Sequence, residues 1–324
     1  MRHLFIVNPG AEKIKGKVGE VTEEIKAFFS NNSKLAYDIH ITRWNRDATG
    51  FVKRYVSEAG EPVRVHCFGG AGTFFEVVNG AAELRNAQIA AYPMGASNEF
   101  LLYFGKENGH LFRSIENQIA SGTTPIDAIR CGHIYGISHF LAGMEARSNR
   151  DGFEMLERTK LPTDFCYVWP ALWEVISGKI RAQSYRIELD GVPLDGNYIT
   201  MLIANGPCYG KDMSAAIDAH PNDGQLEIYM MNDMPRRLLL PTILRYISGQ
   251  YRKMPDRIRH FSGKKITINS DEVMCVCLDG ETFYENSIEC EVIHHAINFV
   301  CPATIDLRKL PRIYNHPEEG YVGG

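Results

Sequence analysis

A glycine-rich turn between a strand-like and a helix-like segment is the part of this sequence best suited to chemistry. The residues Gly69-Gly70-Ala71-Gly72-Thr73 separate an apolar run from an amphipathic segment. Such a turn leaves backbone N–H groups uncovered at the positive end of a helix, which suits a phosphate. Phe75 replaces the third glycine of a dinucleotide fingerprint, and no Gly-Lys-Ser/Thr follows as in a Walker A loop. A purely structural tight turn is the alternative interpretation.

Small or polar residues also end the neighbouring strand-like runs. Asn8 ends the first run, Thr42 ends the second, and Gly95-Ala96-Ser97-Asn98 follows the fourth. Ligands of parallel sheets gather at the carboxyl ends of the strands, so we expect these residues to form one site with the glycine turn. Ser97 has an alternative role as the cap of the helix that follows.

A carboxylate follows a turn in the second half of the chain. Leu278-Asp279-Gly280-Glu281 comes directly after an apolar strand-like run. Asp-Gly is first of all a hairpin turn, which is the structural interpretation. The functional interpretation is that the turn aims Glu281 into a cleft, where it takes a proton from an attacking hydroxyl.

The pattern of elements predicts two domains and a tail. In residues 1–125, four strand-like runs alternate with helical segments, which predicts an α/β domain built on a mostly parallel sheet. Residues 126–303 contain short β-branched runs separated by Asp-Gly turns and one helical insert, which predicts an antiparallel, sandwich-like β domain. Residues 304–324 read as a loosely ordered tail.

Composition narrows the class of protein. With 44% apolar and 23% charged residues, 324 residues suffice for two cores, and a net charge of −4 argues against nucleic acid as the main partner. The eight cysteines contain no Cys-x-x-Cys pair, so we expect free thiols in a reducing cytoplasm. No apolar run reaches the roughly 18–20 residues of a membrane-spanning helix, which predicts a soluble protein or one that sits on a membrane surface.

Taken together, these motifs resemble the diacylglycerol kinase and sphingosine kinase catalytic-domain family, in its bacterial soluble lipid-kinase branch. The resemblance runs from Leu4 to about Val300. Besides the motifs above, it depends on Asp127 and on five further short stretches, which are Asn8-Pro9, Glu76-Val77-Val78-Asn79-Gly80, Gly143-Met144-Glu145-Ala146, Asn205-Gly206 and Asn222-Asp223-Gly224.

The resemblance implies a lipid kinase whose first domain is similar to those of 6-phosphofructokinase and NAD kinase. ATP would contact Asn8, Thr42, the 69–73 turn and the 95–98 turn. Glu281 matches the family's proton acceptor, and Asp279 is a supporting carboxylate. The Asp223 side chain matches a structural Mg²⁺ site, with the carbonyls of His220 and Gln225 as further ligands; such oxygen-only coordination suits a hard cation.

Two departures from the family pattern lead to a competing hypothesis. Ala71 stands where the family has aspartate in Gly-Gly-Asp-Gly-Thr, and Ala96-Ser97-Asn98-Glu99 replaces Thr-x-Asn-Asp. Because phosphoryl transfer depends on positioning and charge neutralisation, the loss of a carboxylate could cost several orders of magnitude in rate. The alternative is therefore a catalytically impaired relative that binds nucleotide or lipid as a regulatory protein.

Two other features bear on partners. Residues Arg236–Lys265 hold nine Lys or Arg against one acid, which predicts either a solvated basic face or a docking surface for an anionic membrane. Trp169, Pro170 and Trp173 form an aromatic cluster, which we expect to pack in the core rather than line a lipid slot. The sequence leaves open the acceptor lipid, the choice of ATP or GTP, and whether the chain forms a homodimer.

Overall fold

Helices and strands alternate through the first half of the chain, and strands dominate the second half. The computed structural model describes residues 1–32, 34–95, 99–207, 215–302 and 305. The strands are β1 (Arg2–Val7), β2 (Ala36–Ile41), β3 (Val63–Gly69), β4 (Ala87–Pro93), β5 (Gly122–Cys131), β6 (Ile134–Gly136), β7 (His139–Gly143), β8 (Gln183–Leu189), β9 (Val192–Pro193), β10 (Gly196–Ala204), β11 (Leu226–Asn232), β12 (Ile258–Gly263), β13 (Lys265–Leu278) and β14 (Glu281–Cys301). The helices are α1 (Val18–Ser30), α2 (Asp47–Glu58), α3 (Ala71–Ala81), α4 (Glu99–Leu102), α5 (Ile115–Ala120), α6 (Met144–Arg158), α7 (Thr163–Ser177) and α8 (Arg236–Ile247), with short 3₁₀ helices at Lys106–Arg113 and Tyr251–Lys253.

The first half forms the parallel sheet that the sequence predicts. Its strands lie in the order β2-β1-β3-β4, and every neighbouring pair is parallel. Strand β3 is buried along its whole length, as expected for a central strand of a sheet that is covered on both faces. Val52 of α2 and Val77 of α3 pack on one face, and Ile25 and Phe29 of α1 pack on the other.

The second half is antiparallel, and it contains two cores. Strand β10 pairs with β7 and β11, and its side chains alternate between the cores. Met201 and Ile203 face a core between strands, whereas Leu202 and Ala204 face a core that also contains residues of α6, α7 and α8. The predicted order of a parallel α/β unit followed by a β-rich unit is therefore confirmed. The seven cysteines that the structure describes are free and buried, as expected.

The last strand joins the two halves. Strand β14 begins in a hairpin with β13 and ends beside the first sheet, where Phe299 pairs in parallel with Ile89 of β4. Strand β5 runs antiparallel to β14, with Thr123 opposite Val300. The predicted domain boundary at residue 125 lies inside β5, and the division into domains stays a prediction.

Three expectations for the second half are wrong. Not all of its strands are short, because Lys265–Leu278 form one continuous strand, β13, interrupted only by a shift of register between Asn269 and Met274. Helices α6 and α7 were not expected, and Pro170 inside α7 helps to explain why, since proline interrupts a helical pattern. Trp169 and Trp173 are exposed on α7 and do not pack in the core. The buried positions of this helix are instead Cys166, Pro170, Glu174 and Val175.

Helices α2 and α3 approach so closely that Gly80 is required at their contact. A Cβ atom at Gly80 would lie 2.7 Å from the carbonyl oxygen of Thr49 and 2.8 Å from the Cβ of Val52. We therefore predict that Gly80→Ala lowers the free energy of unfolding by about 1–3 kcal/mol, measured by urea denaturation. Gly50 of α2 is exposed with nothing within 4 Å of its Cβ position, so the control Gly50→Ala should add about 0.5–1 kcal/mol. Equal stability of Gly80→Ala and the wild type would contradict this account of the contact.

Candidate active site

The two predicted turns at the strand ends lie against each other. A Cβ at Gly70 would lie 3.2 Å from the Cα of Gly95, so the turn after β3 and the turn after β4 are in close contact. Within the first turn, a Cβ at Gly69 would lie 2.4 Å from the Cβ of Thr73, an overlap that glycine avoids. Gly95 is therefore beside the glycine turn, as predicted; Ala96, Ser97 and Asn98 lie outside the described residues.

The start of α3 is an open cradle for an anion. Gly70 precedes the helix in an extended conformation, and no side chain caps its first turn. Ala71 and Gly72 are exposed there. The first N–H groups of a helix have no partners within the helix, so this end presents donors and partial positive charge to a ligand.

Asn8 fixes the cradle to the end of β1. Its Nδ2 donates to Thr73 Oγ1 at 2.8 Å, and its Oδ1 accepts from the Gly10 N–H at 2.8 Å. Thr42 is buried directly after β2, and its N–H donates to the Val7 carbonyl at 3.0 Å. Asn8, Thr42, the 69–73 turn and Gly95 are thus gathered at one edge of the sheet.

The β13–β14 hairpin brings Glu281 to this edge. The Oε1 of Glu281 lies 3.8 Å from the position that a Cβ on Gly72 would occupy. The side chain reaches solvent, but the surrounding protein desolvates its carboxylate enough to raise the pKa. The nearby Arg46 guanidinium opposes that rise in pKa, and the Glu76 carboxylate adds to it. A carboxylate with a raised pKa at an anion cradle is suited to accepting a proton.

Asp279 holds the hairpin in place. Its carboxylate accepts hydrogen bonds from the N–H groups of Ile137 at 2.6 Å, Ser138 at 3.0 Å and His139 at 2.9 Å. Asp279 and Gly280 both have positive φ, as the central residues of a tight hairpin turn. The structural interpretation of this turn is therefore right, and the same turn directs Glu281; Asp279 acts on Glu281 by positioning it.

The carboxylate nearest to Ala71 along α3 is already bonded. Glu76 accepts from the N–H groups of Arg46 and Ala48, both at 3.0 Å, at the start of α2. It therefore caps that helix and cannot also supply the charge that Ala71 lacks without losing these bonds.

The predicted metal ligands lie together at the turn before β11. Asp223 Oδ1 accepts from the Gln225 N–H at 3.0 Å, and His220 Nε2 is 2.9 Å from the hydroxyl of Tyr103. Partial desolvation raises the pKa of Asp223, the Gln225 N–H and His220 lower it, and the Asp127 and Glu227 carboxylates raise it again. A cation would relieve this concentration of negative charge, so the donor set fits Mg²⁺.

A second group of ligand atoms escaped the sequence analysis. The side chains of Asp127, His294 and His295 place three ligand atoms within 4.8 Å of one another, and this is the one such cluster of three or more His, Cys, Asp or Glu in the described ranges. Buried Asp127 accepts from the Gly224 N–H at 2.7 Å and lies 2.8 Å from His294 Nδ1.

The convergence of the two histidines depends on a distorted strand. Adjacent residues of a strand normally point to opposite faces. Here His295 has a φ of 57°, β14 shifts register between Ile293 and Ile297, and the two imidazole rings stack 3.6 Å apart. The signal in the sequence was the His-His pair itself, but a regular strand would have separated the two rings.

Comparisons with known proteins bear on the family and the fold of the chain. The chain matches the family described as the diacylglycerol kinase catalytic domain over residues 2–131. It matches the YegS C-terminal NAD kinase beta sandwich-like domain over residues 138–301, which are just over half of this chain. The chain belongs to the diacylglycerol kinase family. The resemblance and the fold class inferred from the sequence are both confirmed.

Individual members of the family are similar along most of their length. "Putative lipid kinase SERP0390" of Staphylococcus epidermidis is 24% identical over 297 residues, which cover 90% of this chain and 92% of the relative. "Putative lipid kinase SA0681" of Staphylococcus aureus strain N315 is 24% identical over 301 residues, covering 90% and 93%. A crystal structure described as a putative diacylglycerol kinase from Bacillus anthracis superposes with a TM-score of 0.72 at 20% identity, covering 94% of this chain and 98% of that chain. This structural likeness shows the same fold.

The raised pKa of Glu281 predicts a pH-dependent cost to stability. A carboxyl group with a raised pKa in the folded state favours folding below its ordinary pKa, and that benefit is lost as pH rises through the folded-state value. Glu281→Gln should therefore be more stable than the wild type at pH 8, by less than about 1 kcal/mol because the carboxylate keeps part of its hydration. Urea denaturation across pH should show this gain disappearing below about pH 4. The control Glu285→Gln, in the same hairpin, keeps Glu281 and should keep the wild-type pH dependence of stability. If Glu281→Gln were stabilised equally at pH 8 and below about pH 4, the prediction would be wrong.

Proposed function

We propose that this chain is a lipid kinase of the diacylglycerol kinase type that transfers the γ-phosphate of ATP to a lipid hydroxyl. The observation that carries the proposal is the position of the Glu281 carboxylate, 3.8 Å from the Cβ position of Gly72 in the open turn of α3. A turn that can bind phosphate and a carboxylate that can accept a proton are thus close together. Transfer of phosphate to a hydroxyl needs this arrangement.

In this proposal the nucleotide binds at the edge formed by the first four strands. The N–H groups at Ala71, Gly72 and Thr73 hold phosphate, Asn8 keeps the turn in shape through Thr73, and Thr42 and the 95–98 turn contact the rest of the nucleotide. Glu281 takes the proton from the lipid hydroxyl. The hydroxyl oxygen then bonds to the γ-phosphorus as the bond between that phosphorus and the β–γ bridging oxygen breaks, and ADP leaves with that oxygen.

His220, Asp223 and Gln225 would hold the Mg²⁺ that the family resemblance implies. Bound there, Mg²⁺ would neutralise the carboxylates around Asp223 and stabilise the turn before β11. Asp127 supports the same turn through its hydrogen bond from the Gly224 N–H.

The proposed setting is the cytoplasm, with peripheral contact to an anionic membrane where the lipid resides. The segment Arg236–Lys265 contributes to this contact less than its composition suggests, because part of its charge is paired within the protein. Arg252 pairs with Asp218, and Lys265 pairs with Glu289 at 2.9 Å.

The test is a kinase assay with labelled ATP, Mg²⁺ and diacylglycerol in mixed micelles. We predict that Glu281→Gln lowers kcat by about 10²–10⁴-fold, because general base catalysis contributes that much. The exposed Glu285→Gln on the same hairpin is the matched control and should keep wild-type activity. The wild-type rate should fall with acid at a midpoint above the usual carboxylate value, since burial raises the pKa of Glu281. Wild-type turnover that survives Glu281→Gln would overturn the assignment of the base.

Ala71 supplies a second test. It is exposed in the first turn of α3, so an aspartate fits there without clash and is favoured by the helix dipole. We predict that Ala71→Asp raises kcat, whereas Ala71→Asn, of similar size but without charge, does not. If the Ala71→Asp variant had kinase activity and the wild type had none, the chain would be better described as a nucleotide- or lipid-binding regulatory protein than as an enzyme.

A further inference from the structure

Helix α7 exposes a row of aromatic side chains. Phe165, Trp169 and Trp173 are 44%, 39% and 49% exposed, although residues of this kind are usually buried. Their spacing of four residues places them on one face of the helix, where their rings stack at 5.7 Å and 6.2 Å between centroids. Val168 and Ile176 are also exposed on α7. Together these five residues form what we call the aromatic face.

Helix α8 adds apolar surface next to this helix. Leu240 and Leu244, one turn apart, are exposed. Arg236, at the start of α8, donates to the carbonyl oxygen of Val175 at 3.2 Å and to that of Ile176, which fixes α8 to the end of α7. An exposed apolar surface shared by two packed helices marks an interaction site rather than scattered exposure.

Lysine and arginine flank the aromatic face at both ends of α7. Lys160 precedes α7, Lys179 and Arg181 follow it, and all three are exposed. Arg158, also exposed, is paired with Glu154 at 3.5 Å. A cavity of about 390 Å³ between α6 and α7 is lined by Trp169, Trp173 and Lys179 together with two ion pairs, Arg147–Glu174 and Arg150–Asp151. Tryptophan rings beside lysine and arginine are typical of segments that lie at the boundary between lipid headgroups and acyl chains.

Contacts through α6 also link the aromatic face to the hairpin that carries Glu281. Arg150 of α6 donates to the hydroxyl of Tyr284 at 2.7 Å, and Tyr284 follows Glu281 by three residues on β14. Helices α6 and α7 pack against each other. A surface that holds α7 therefore lies close to the hairpin that carries Glu281.

We propose that the aromatic face of α7 inserts into the surface of an anionic phospholipid bilayer, with the flanking lysines and arginines at the phosphate level. This inference rests on the proposed lipid acceptor for its purpose, because it delivers the Glu281 cleft to the membrane in which that acceptor lies. No helix in the described part of the chain is long and apolar enough to cross a membrane. A second copy of the chain fits this surface less well, since the exposed cations Lys160, Lys179 and Arg181 of both copies would then meet.

Tryptophan fluorescence tests the proposal directly, because the chain has three tryptophans and two of them are on the aromatic face. In a Trp44→Phe protein, vesicles that contain phosphatidylglycerol should shift the emission to the blue, and lipids brominated on their acyl chains should quench it. Vesicles of phosphatidylcholine alone should give a much weaker response. An unchanged spectrum with both vesicle types would overturn the proposal.

Vesicle sedimentation with a matched pair of variants gives the second measurement. Trp169→Ser/Trp173→Ser should bind phosphatidylglycerol vesicles at least about tenfold more weakly, whereas Trp44→Ser, which alters an exposed tryptophan of the first half, should bind like the wild type. If the double variant bound the vesicles as tightly as the wild type, the aromatic face would not be the docking surface. If the wild type and Trp44→Ser formed dimers in sedimentation equilibrium and the double variant did not, the surface would be a dimer interface.

The activity assay separates this proposal from the proposed function. On a short-chain diacylglycerol dispersed without vesicles, the double variant should keep wild-type turnover, and it should lose turnover on vesicles. A wild type that binds vesicles through α7 but transfers no phosphate would leave the docking surface standing and refute the kinase. Loss of activity on both substrates, with unchanged thermal unfolding, would refute the docking role.

Discussion

The carboxylate of Asp279 accepts hydrogen bonds from three consecutive backbone N–H groups, and the geometry of the candidate site depends on this interaction. The same short segment is held from its other side by Asn205, whose Nδ2 donates to the carbonyls of Ile137 and Asp127. A chain of polar contacts thus runs from the Glu281 hairpin through residues 137–139 to Asp127 and the Asp223 turn. Each contact satisfies a buried backbone group, so the hairpin and the Asp223 turn cannot shift independently at low cost.

The anion cradle at the start of α3 is formed by backbone groups, and small residues leave it open. Gly70 lets the turns after β3 and β4 touch, and Ala71 leaves the first turn of α3 without a carboxylate. The negative charges near the turn lie outside it: Glu281 is on the hairpin, and Glu76 is further along α3, where it is bonded to the start of α2. In the proposed kinase, the missing carboxylate therefore reduces charge repulsion toward the phosphates of ATP and leaves the chemical step with fewer groups to organise it.

The sequence predicted the parts of the fold that depend on local pattern. The alternation of strands and helices in the first half and the Asp279-Gly280 turn could be read from neighbouring residues, and their order placed the polar strand ends at one edge. Contacts made at long range could not be read in this way. The approach of Glu281 to Gly72, the convergence of His294 with His295 at a distorted strand, and the exposure of Trp169 all depend on how distant segments pack.

The return of β14 to the first sheet has a consequence for the order of synthesis. Strand β4 receives its outer neighbour from residues close to Phe299, more than two hundred positions later in the chain. On the ribosome, the first half therefore emerges with an unpaired strand edge and waits for nearly the whole polypeptide before its sheet is complete. Contacts this distant in sequence slow folding, and exposed edges invite pairing with other chains in the meantime. Truncation near residue 290 would remove the part of β14 that pairs with β4 and leave β4 with an open edge, although every residue of β1 to β4 would still be present.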